Sequence, residues 1–329
     1  MPLPEDWTLT ASAFNWTPDV IRAERTAEDI AVSVVADGIA SAIEVEAGQV
    51  WRGFPSPTTA EASALRERLA AAGGRVSIVG GSIDDWTSDG RRRTDQERYD
   101  FLVPQLHAAH HAGAIGVRLP IGQSGPRLLA RLLPLLHDLD LVLFEEAQGQ
   151  QDPRSDGYRD AFETIAALDD PHVRLLIDIS MLMPSLPDSY LEVLRRGGVD
   201  GALLARLRTA WRDPETHDAV IDALRSGSVP PAVHTMFMNL VVRFGRSEAS
   251  DLRDVLPWTA GVHLKFWDLD DTDGRITRPI AELGRELRVA GFAGTLCSEW
   301  GGHEWIEDAT AVDATRRHLD LARSALVAA

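Results

Sequence analysis

Four side chains able to bind a divalent cation lie at or near the ends of four consecutive apolar segments. The segment LVLFEE ends in two glutamates, VRLLID ends in Asp178, GVHLKF carries His263, and TLCSE ends in Glu299. Three carboxylates with one imidazole favour Mn, Co or Mg over a site built only for zinc, and they leave room for substrate oxygens. The sequence therefore predicts one divalent metal ion, with Mn as the first choice and Mg or Co as the others.

The pair of glutamates in LVLFEE offers two candidates for the same position. Successive side chains of a strand point to opposite faces, so Phe144 and Glu146 share one face and Glu145 takes the other. Spacing alone does not decide which face points inward, so both glutamates stay open at this point.

Each of these residues also has a purely structural interpretation. An aspartate after an apolar run, such as Asp178, often caps a helix, and a histidine such as His263 can be a hydrogen-bonded core residue. Glu299 is harder to explain in this way, because a buried carboxylate without a partner is costly. The repetition of such residues on four successive segments favours the metal site.

The four segments belong to a repeating order of short apolar strand, polar turn and amphipathic helix. Eight strands are predicted, at 9–15, 41–46, 75–80, 114–119, 141–146, 173–178, near Val262, and at 295–299, and a closing helix at 308–326. Strands alternating with helices favour a (β/α)8 TIM barrel, whose functional residues lie at the carboxyl ends of the strands. An open doubly wound sheet is the alternative, but no GxGxxG turn follows an early strand.

Residues 1–329 are expected to form a single TIM-barrel domain. About 80 residues separate Asp178 from the next convincing strand, and they read as several helices. We therefore predict a helical insertion at 179–259, between strands six and seven, that caps the site or makes a subunit contact.

Composition narrows the choice of partners and compartment. The net charge of −17 disfavours binding to the phosphate backbone of nucleic acids. The single cysteine, Cys297, cannot form an internal disulfide, which fits a reducing compartment. The first residues show no signal-peptide pattern, and no apolar run approaches the ~20 residues that a membrane helix needs. The sequence thus predicts a cytoplasmic protein that binds neither nucleic acid nor membrane.

The order Glu, Asp, His, Glu on strands five to eight resembles the xylose-isomerase-like barrels of the sugar phosphate isomerase/epimerase superfamily. That resemblance implies a Mn, Mg or Co ion that binds adjacent oxygens of a keto-sugar. It also implies that the glutamates of strands five and eight act as the acid/base pair. In this chain they are Glu146, which the resemblance favours over Glu145, and Glu299.

A narrower resemblance lies in VHLKFWDLDDTDG and GFAGTLCSEWGGHEW, which are similar to segments of the α subunits of bacterial C-glycoside deglycosylating enzymes. Those segments typically read HVHGKFxE and GYxGxxSSEYEG. The resemblance implies that Lys265 and Trp267 line the site and that His303 follows the last metal ligand. The chain differs at Gln148, where those enzymes tend to have the histidine of a Glu-x-His motif.

Further substrate contacts are expected at Glu46, Arg118 and Gln148, together with Lys265 and His303. Arg118 lies near the end of strand four, where it can hold a substrate anion or hydroxyls or form an ordinary ion pair.

Together these features predict a metal-dependent isomerase or epimerase that removes a proton next to the carbonyl of a keto-sugar or sugar derivative. One alternative is a lyase that eliminates the aglycone from a 3-keto-glycoside. An alternative from another class is a non-catalytic barrel subunit or scaffold, although no ligand has been lost. An endonuclease IV-type enzyme is disfavoured by the charge. The expected ligand is a small carbohydrate or glycoside, and a homo-oligomer or a small partner subunit is expected.

Overall fold

The computed structural model describes residues 2–329 and shows a closed barrel of eight parallel strands in chain order. The strands are β1 Trp7–Ser12, β2 Ala42–Glu46, β3 Arg75–Gly80, β4 Gly116–Pro120, β5 Val142–Ala147, β6 Val173–Asp178, β7 Thr259–Phe266 and β8 Gly294–Trp300. β1 pairs with β8, and this pairing closes the sheet. The predicted (β/α)8 TIM barrel is confirmed, and the open-sheet alternative is wrong.

Thirteen α-helices accompany the strands in the described residues. They are α1 Thr17–Arg22, α2 Ala27–Ala36, α3 Ala47–Val50, α4 Thr59–Ala71, α5 Asp95–Ala112, α6 Gly125–Leu139, α7 Arg159–Leu168, α8 Asp188–Arg196, α9 Gly201–Thr209, α10 Pro214–Arg225, α11 His234–Val242, α12 Thr277–Ala290 and α13 Ala311–Ala328. Local sequence sets several of their starts. Thr58 and Thr94 form capping boxes with Glu61 and Glu97, which satisfy the first free amides of α4 and α5.

Helices α8 to α11 lie between β6 and β7, within the segment predicted as an insertion. They pack around their own apolar cluster, which includes Tyr190, Trp211, Phe237 and Phe244. The main core, by contrast, lies between the barrel strands and the outer helices. None of the helices in the described part of the chain is long and apolar enough to cross a membrane.

Alternation along the strands sends every second side chain into the barrel lumen. Ile78, Phe144 and Leu176 form a small apolar cluster that lies apart from the main core, as expected for lumen-facing residues. Phe144 and Glu146 share a face of β5, and Leu176 and Asp178 share a face of β6. The carboxylates at the strand ends are therefore directed into the upper lumen.

Two predicted boundaries were wrong by several residues. The first strand ends at Ser12, because the Ser12 hydroxyl accepts a hydrogen bond from the amide of Phe14 and starts a 3-10 turn over Ala13–Trp16. The closing helix begins at Ala311 rather than at residue 308, because the Thr310 hydroxyl caps the amide of Asp313.

Candidate metal centre

The four predicted metal ligands meet at the carboxyl ends of β5, β6, β7 and β8. Glu146, Asp178, His263 and Glu299 each offer a ligand atom, and these atoms all lie within 4.8 Å of one another. All four side chains are buried. Glu145, on the opposite face of β5, instead accepts a hydrogen bond from the amide of Gly122 at 2.5 Å. The geometry thus favours Glu146 over Glu145.

His263 presents a different nitrogen to each side of the lumen. Its Nδ1 lies 2.9 Å from Oε1 of Glu146 and 3.0 Å from Oε2 of Glu299. Its Nε2 faces the carboxylate of Glu44, at 3.2 Å from Oε1 and 3.0 Å from Oε2. β2 and β7 are not neighbours in the sheet, so this second contact crosses the lumen.

Arg118 on β4 binds three carboxylates at once. Its Nε donates to Glu44 at 2.7 Å, Nη2 to Glu46 at 2.6 Å and Nη1 to Glu146 at 2.6 Å. A planar guanidinium, whose N–H groups point in fixed directions, can bind three carboxylates arranged around it. Of the two roles expected for Arg118, the structure shows ion pairing within the site, and it makes Arg118 a bridge between strands β2 and β5.

Lys265 on β7 brings a second positive charge to the cluster. Its Nζ donates to Oε2 of Glu299 at 3.0 Å and lies 3.7 Å from Oδ2 of Asp178. The ammonium also lies 5.4 Å from the centre of the Phe14 ring, which can favour a cation.

Burial and the neighbouring positive charges shift the pKa values of the candidate ligands in opposite directions. Burial alone would raise the pKa of Glu146, but the charges of Arg118 and His263 outweigh it and lower the pKa to about 2. Burial likewise opposes ionisation of Glu299, yet Lys265 and His263 hold its pKa well below the usual range. Asp178 has weaker compensation, so burial raises its pKa to about 6. At neutral pH all three side chains are carboxylates, the form that binds a metal ion.

The residues present fit a divalent cation on two further observations. Nδ1 of His263 makes no hydrogen bond of good geometry, and Oδ2 of Asp178 has no hydrogen-bond partner, although both atoms are buried. Buried polar atoms usually make well-formed hydrogen bonds, so these two atoms, which face the same cluster, are available to a metal ion. Three carboxylates and one imidazole form a donor set suited to Mn, Mg or Co.

A cavity of about 410 Å³ opens above the cluster. Its lining includes the predicted substrate contacts Glu46, Arg118, Gln148 and Lys265, besides Glu146 and Glu299. The end of α11 closes one side with Val241, Val242 and Arg243, so the segment between β6 and β7 reaches the site. A space of this size accommodates a small organic ligand.

Two of the residues predicted to contact substrate do not line this cavity. Trp267 packs into the apolar cluster of α8–α11, with its ring 4.8 Å from that of Phe244. His303 lies against Phe14 and Trp300, and it lines a separate cleft of about 500 Å³. The structure therefore brings together eight of the ten predicted site residues, all except Trp267 and His303.

Two buried residues around the candidate ligands were not predicted from the sequence. Glu44 lies beneath the cluster, and its signal was available, because alternation in AIEVE puts it on the same face as Glu46. Asn15 holds both peptides that flank Glu299. Its Oδ1 accepts from the amide of Trp300 at 2.6 Å, and its Nδ2 donates to the carbonyl of Ser298 at 3.2 Å. No local pattern marks that role.

The sequence is similar to subunits of enzymes that act on glycosides. No family model matches the sequence. The C-glycoside deglycosidase alpha subunit of Arthrobacter globiformis is 26% identical over 325 residues, which cover 97% of this chain and 92% of that protein. The 3'-dehydrocarminate deglycosidase alpha subunit of a Microbacterium species is 25% identical over 313 residues, covering 90% and 89%.

Solved structures with the same fold include sugar epimerases and isomerases. A D-psicose 3-epimerase superposes with a TM-score of 0.58 at 12% identity, covering 97% of this chain and 99% of that one. The 3-keto-D-glucoside 4-epimerase of E. coli superposes with a TM-score of 0.54 at 12% identity, with the same coverage. The fold is thus that of the xylose-isomerase-like sugar epimerases. Within that fold, the chain is homologous to the C-glycoside deglycosidase alpha subunits, and both predicted resemblances are confirmed.

Proposed function

We propose that this protein is a metal-dependent enzyme that removes a proton next to the carbonyl group of a keto-sugar or sugar derivative. The convergence of Glu146, Asp178, His263 and Glu299 on one point below an open cavity carries this proposal. A divalent ion held there would polarise the carbonyl and an adjacent hydroxyl, which makes the intervening C–H more acidic.

The chain's own residues supply the proton transfers and the orientation. Glu146 and Glu299 both border the cavity, and one can remove a proton that the other returns. Lys265 donates to Glu299 and orients it, and its remaining hydrogens can bind a substrate oxygen. Glu46 is a quarter exposed at the cavity wall, so it can accept hydrogen bonds from sugar hydroxyls.

Deuterium exchange tests the proposed reaction class directly. The purified chain, loaded with Mn, is incubated in D2O with a panel of keto-sugars and 3-keto-glycosides. We expect wash-in of deuterium next to the carbonyl, and its loss in Glu299→Gln, which retains the shape but cannot take up a proton. Full exchange in Glu299→Gln, or no exchange across the panel, would refute the proposal.

A second candidate reaction is elimination of the aglycone from a 3-keto-glycoside. Its support is the homology to deglycosidase alpha subunits over nearly the whole chain. Elimination begins with the same proton removal and ends with loss of a leaving group at the β carbon. The name of these relatives also implies a partner subunit, and we infer that such a subunit is needed for full activity.

Gln148 distinguishes the two reactions. It lines the cavity two residues after Glu146, where the deglycosylating enzymes tend to have a histidine, and an amide cannot act as a base. If elimination needs that base, Gln148→His should increase aglycone release from a 3-keto-glycoside by a larger factor than it changes proton exchange on a keto-sugar. Rapid aglycone release by the wild-type chain would show that another residue supplies the base.

A further inference from the structure

Glu44 forms a buried contact with the metal-facing histidine but lies outside the proposed ligand set. It lies on β2 with only 1% of its side chain exposed, so it lacks access to the cavity and to substrate. Both of its oxygens approach Nε2 of His263, at 3.2 and 3.0 Å. The opposite nitrogen, Nδ1, faces Glu146 and Glu299.

The two faces of the imidazole have different chemical requirements. A neutral imidazole carries one N–H, and the other nitrogen offers a lone pair. A metal ion on the side of Glu146 and Glu299 needs the lone pair on Nδ1, which places the hydrogen on Nε2. Glu44 has only acceptor oxygens when ionised, and it is positioned to accept that hydrogen.

We propose that Glu44 is a positioning residue that fixes the tautomer and ring orientation of His263 for metal binding. This inference rests on the proposed metal site and adds to it the residue that prepares its only nitrogen ligand. Glu44 acts through His263 and needs no contact with metal or substrate.

Arg118 fixes Glu44 in turn. Its Nε donates to Oε1 of Glu44 at 2.7 Å, while Nη1 of the same guanidinium binds Glu146 at 2.6 Å. The rigid guanidinium of Arg118 therefore holds Glu44 and the proposed ligand Glu146 at a fixed separation. The second oxygen of Glu44 is free of Arg118 and makes the shorter contact with Nε2, at 3.0 Å.

Cys297 is a further polar neighbour of His263 on this side, and it provides a matched control. Its sulfur lies within 4.8 Å of ligand atoms of Glu44 and His263, and the side chain is buried. It makes no hydrogen bond to the imidazole, and its sulfur makes a weak contact with the carbonyl of Ser298. A substitution here disturbs the same packing without removing the acceptor of the Nε2 hydrogen.

Mn binding to the full chain, measured by calorimetry, tests this role. Loss of an orienting partner of a metal ligand weakens metal binding by about 10–100-fold, so we expect this loss in Glu44→Leu. Glu44→Gln keeps an acceptor oxygen, so its affinity should stay within about threefold of wild type, as should that of Cys297→Ser. Folded Glu44→Leu with wild-type affinity would overturn the role of Glu44.

A second measurement keeps the proposal falsifiable if Glu44→Leu does not fold. In the Mg-loaded wild-type chain, nitrogen NMR should show the hydrogen of His263 on Nε2, and a hydrogen on Nδ1 would overturn the inference. Absence of Mn and Mg binding in the wild type would instead refute the proposed metal site itself. Normal wild-type binding that is insensitive to Glu44 would refute only the inference.

Discussion

Gly80→Ala should displace the Glu46 carboxylate while leaving the barrel folded. Gly80 ends β3 opposite Glu46 in the register of the sheet. A methyl group at position 80 would lie 2.2 Å from Oε2 and 2.5 Å from Cδ of Glu46, far closer than such atoms can approach. The obstructed atoms end a flexible side chain, and Gly80 does not need a positive φ, so Glu46 must move rather than the backbone.

The effect on stability is expected to be small. Moving Glu46 breaks its 2.6 Å ion pair with Arg118. The expected cost is only about 1 kcal/mol, because the displaced carboxylate can turn into the open cavity and Arg118 keeps its bonds to Glu44 and Glu146. Alanine offsets about 0.4–1 kcal/mol of this by restricting the unfolded chain. The free energy of unfolding should therefore change by less than about 1 kcal/mol.

The effect on activity should be larger. If Glu46 accepts a hydrogen bond from a substrate hydroxyl, its displacement removes a charged hydrogen bond of about 1.5–3 kcal/mol. Each 1.4 kcal/mol is about tenfold, so kcat/KM for deuterium exchange should fall by about 10–100-fold. Gly201→Ala is the control, because a methyl there meets no atom within 4 Å, and it should leave exchange unchanged.

A double-mutant comparison separates this effect from general damage. Glu46→Ala should reduce exchange by about as much as Gly80→Ala, and the double variant should lose nothing further, since both changes remove the same interaction. Multiplicative losses in the double variant, or full activity in folded Gly80→Ala, would refute the reasoning.

Three other outcomes follow from the geometry. Free Mn at about 100 times its dissociation constant should raise the free energy of unfolding by about 2.7 kcal/mol in denaturant titrations. This gain should vanish in Asp178→Asn. An equal gain in the variant would contradict the assignment of Asp178 as a ligand. Asn15→Leu should destabilise the fold by about 2–4 kcal/mol, because it leaves two buried peptide groups beside Glu299 unpaired. It should also weaken Mn binding in calorimetry. Unchanged Mn affinity would refute a role of Asn15 in positioning Glu299. Burial lowers the pKa of His318 to about 3, below its unfolded value of about 6.5. The neutral, buried imidazole therefore contributes fully to the free energy of unfolding above about pH 6.5. As the pH falls toward 3, that free energy should decline by up to about 1.4 kcal/mol per pH unit. Urea titrations across that range should show a shallower decline in His318→Phe, and identical slopes would contradict the burial argument.

The barrel and the convergence of the four candidate ligands could be predicted from the sequence, because both depend on local alternation. The carboxyl ends of parallel strands lie at the same end of a closed barrel. Acidic and imidazole side chains near the ends of β5 to β8 must therefore lie close together. The same rule could have identified Glu44, whose face follows from that of Glu46. Its partner could not be read from spacing, because the contact with His263 joins strands that are not neighbours and depends on the closure of the barrel.

The two predicted substrate contacts that do not line the cavity are residues beyond the strand ends. Lys265 is within β7, and alternation places it correctly beside Glu299. Trp267 follows the end of β7, where no period constrains its direction, and the apolar cluster of α8–α11 takes up its ring. His303 lies in a short 3-10 turn after β8, and its direction is likewise set by packing against Phe14 and Trp300 rather than by a repeat.

Anomalous diffraction from crystals soaked in Mn tests the central claim most directly. We expect one strong peak per chain, within coordination distance of Nδ1 of His263 and of one carboxylate oxygen each from Glu146, Asp178 and Glu299. The Lys265 ammonium should remain bound to Glu299 or turn toward the cavity, without entering the position of the metal. A peak elsewhere in the chain, or no peak at this cluster at saturating Mn, would contradict the assignment of these four residues.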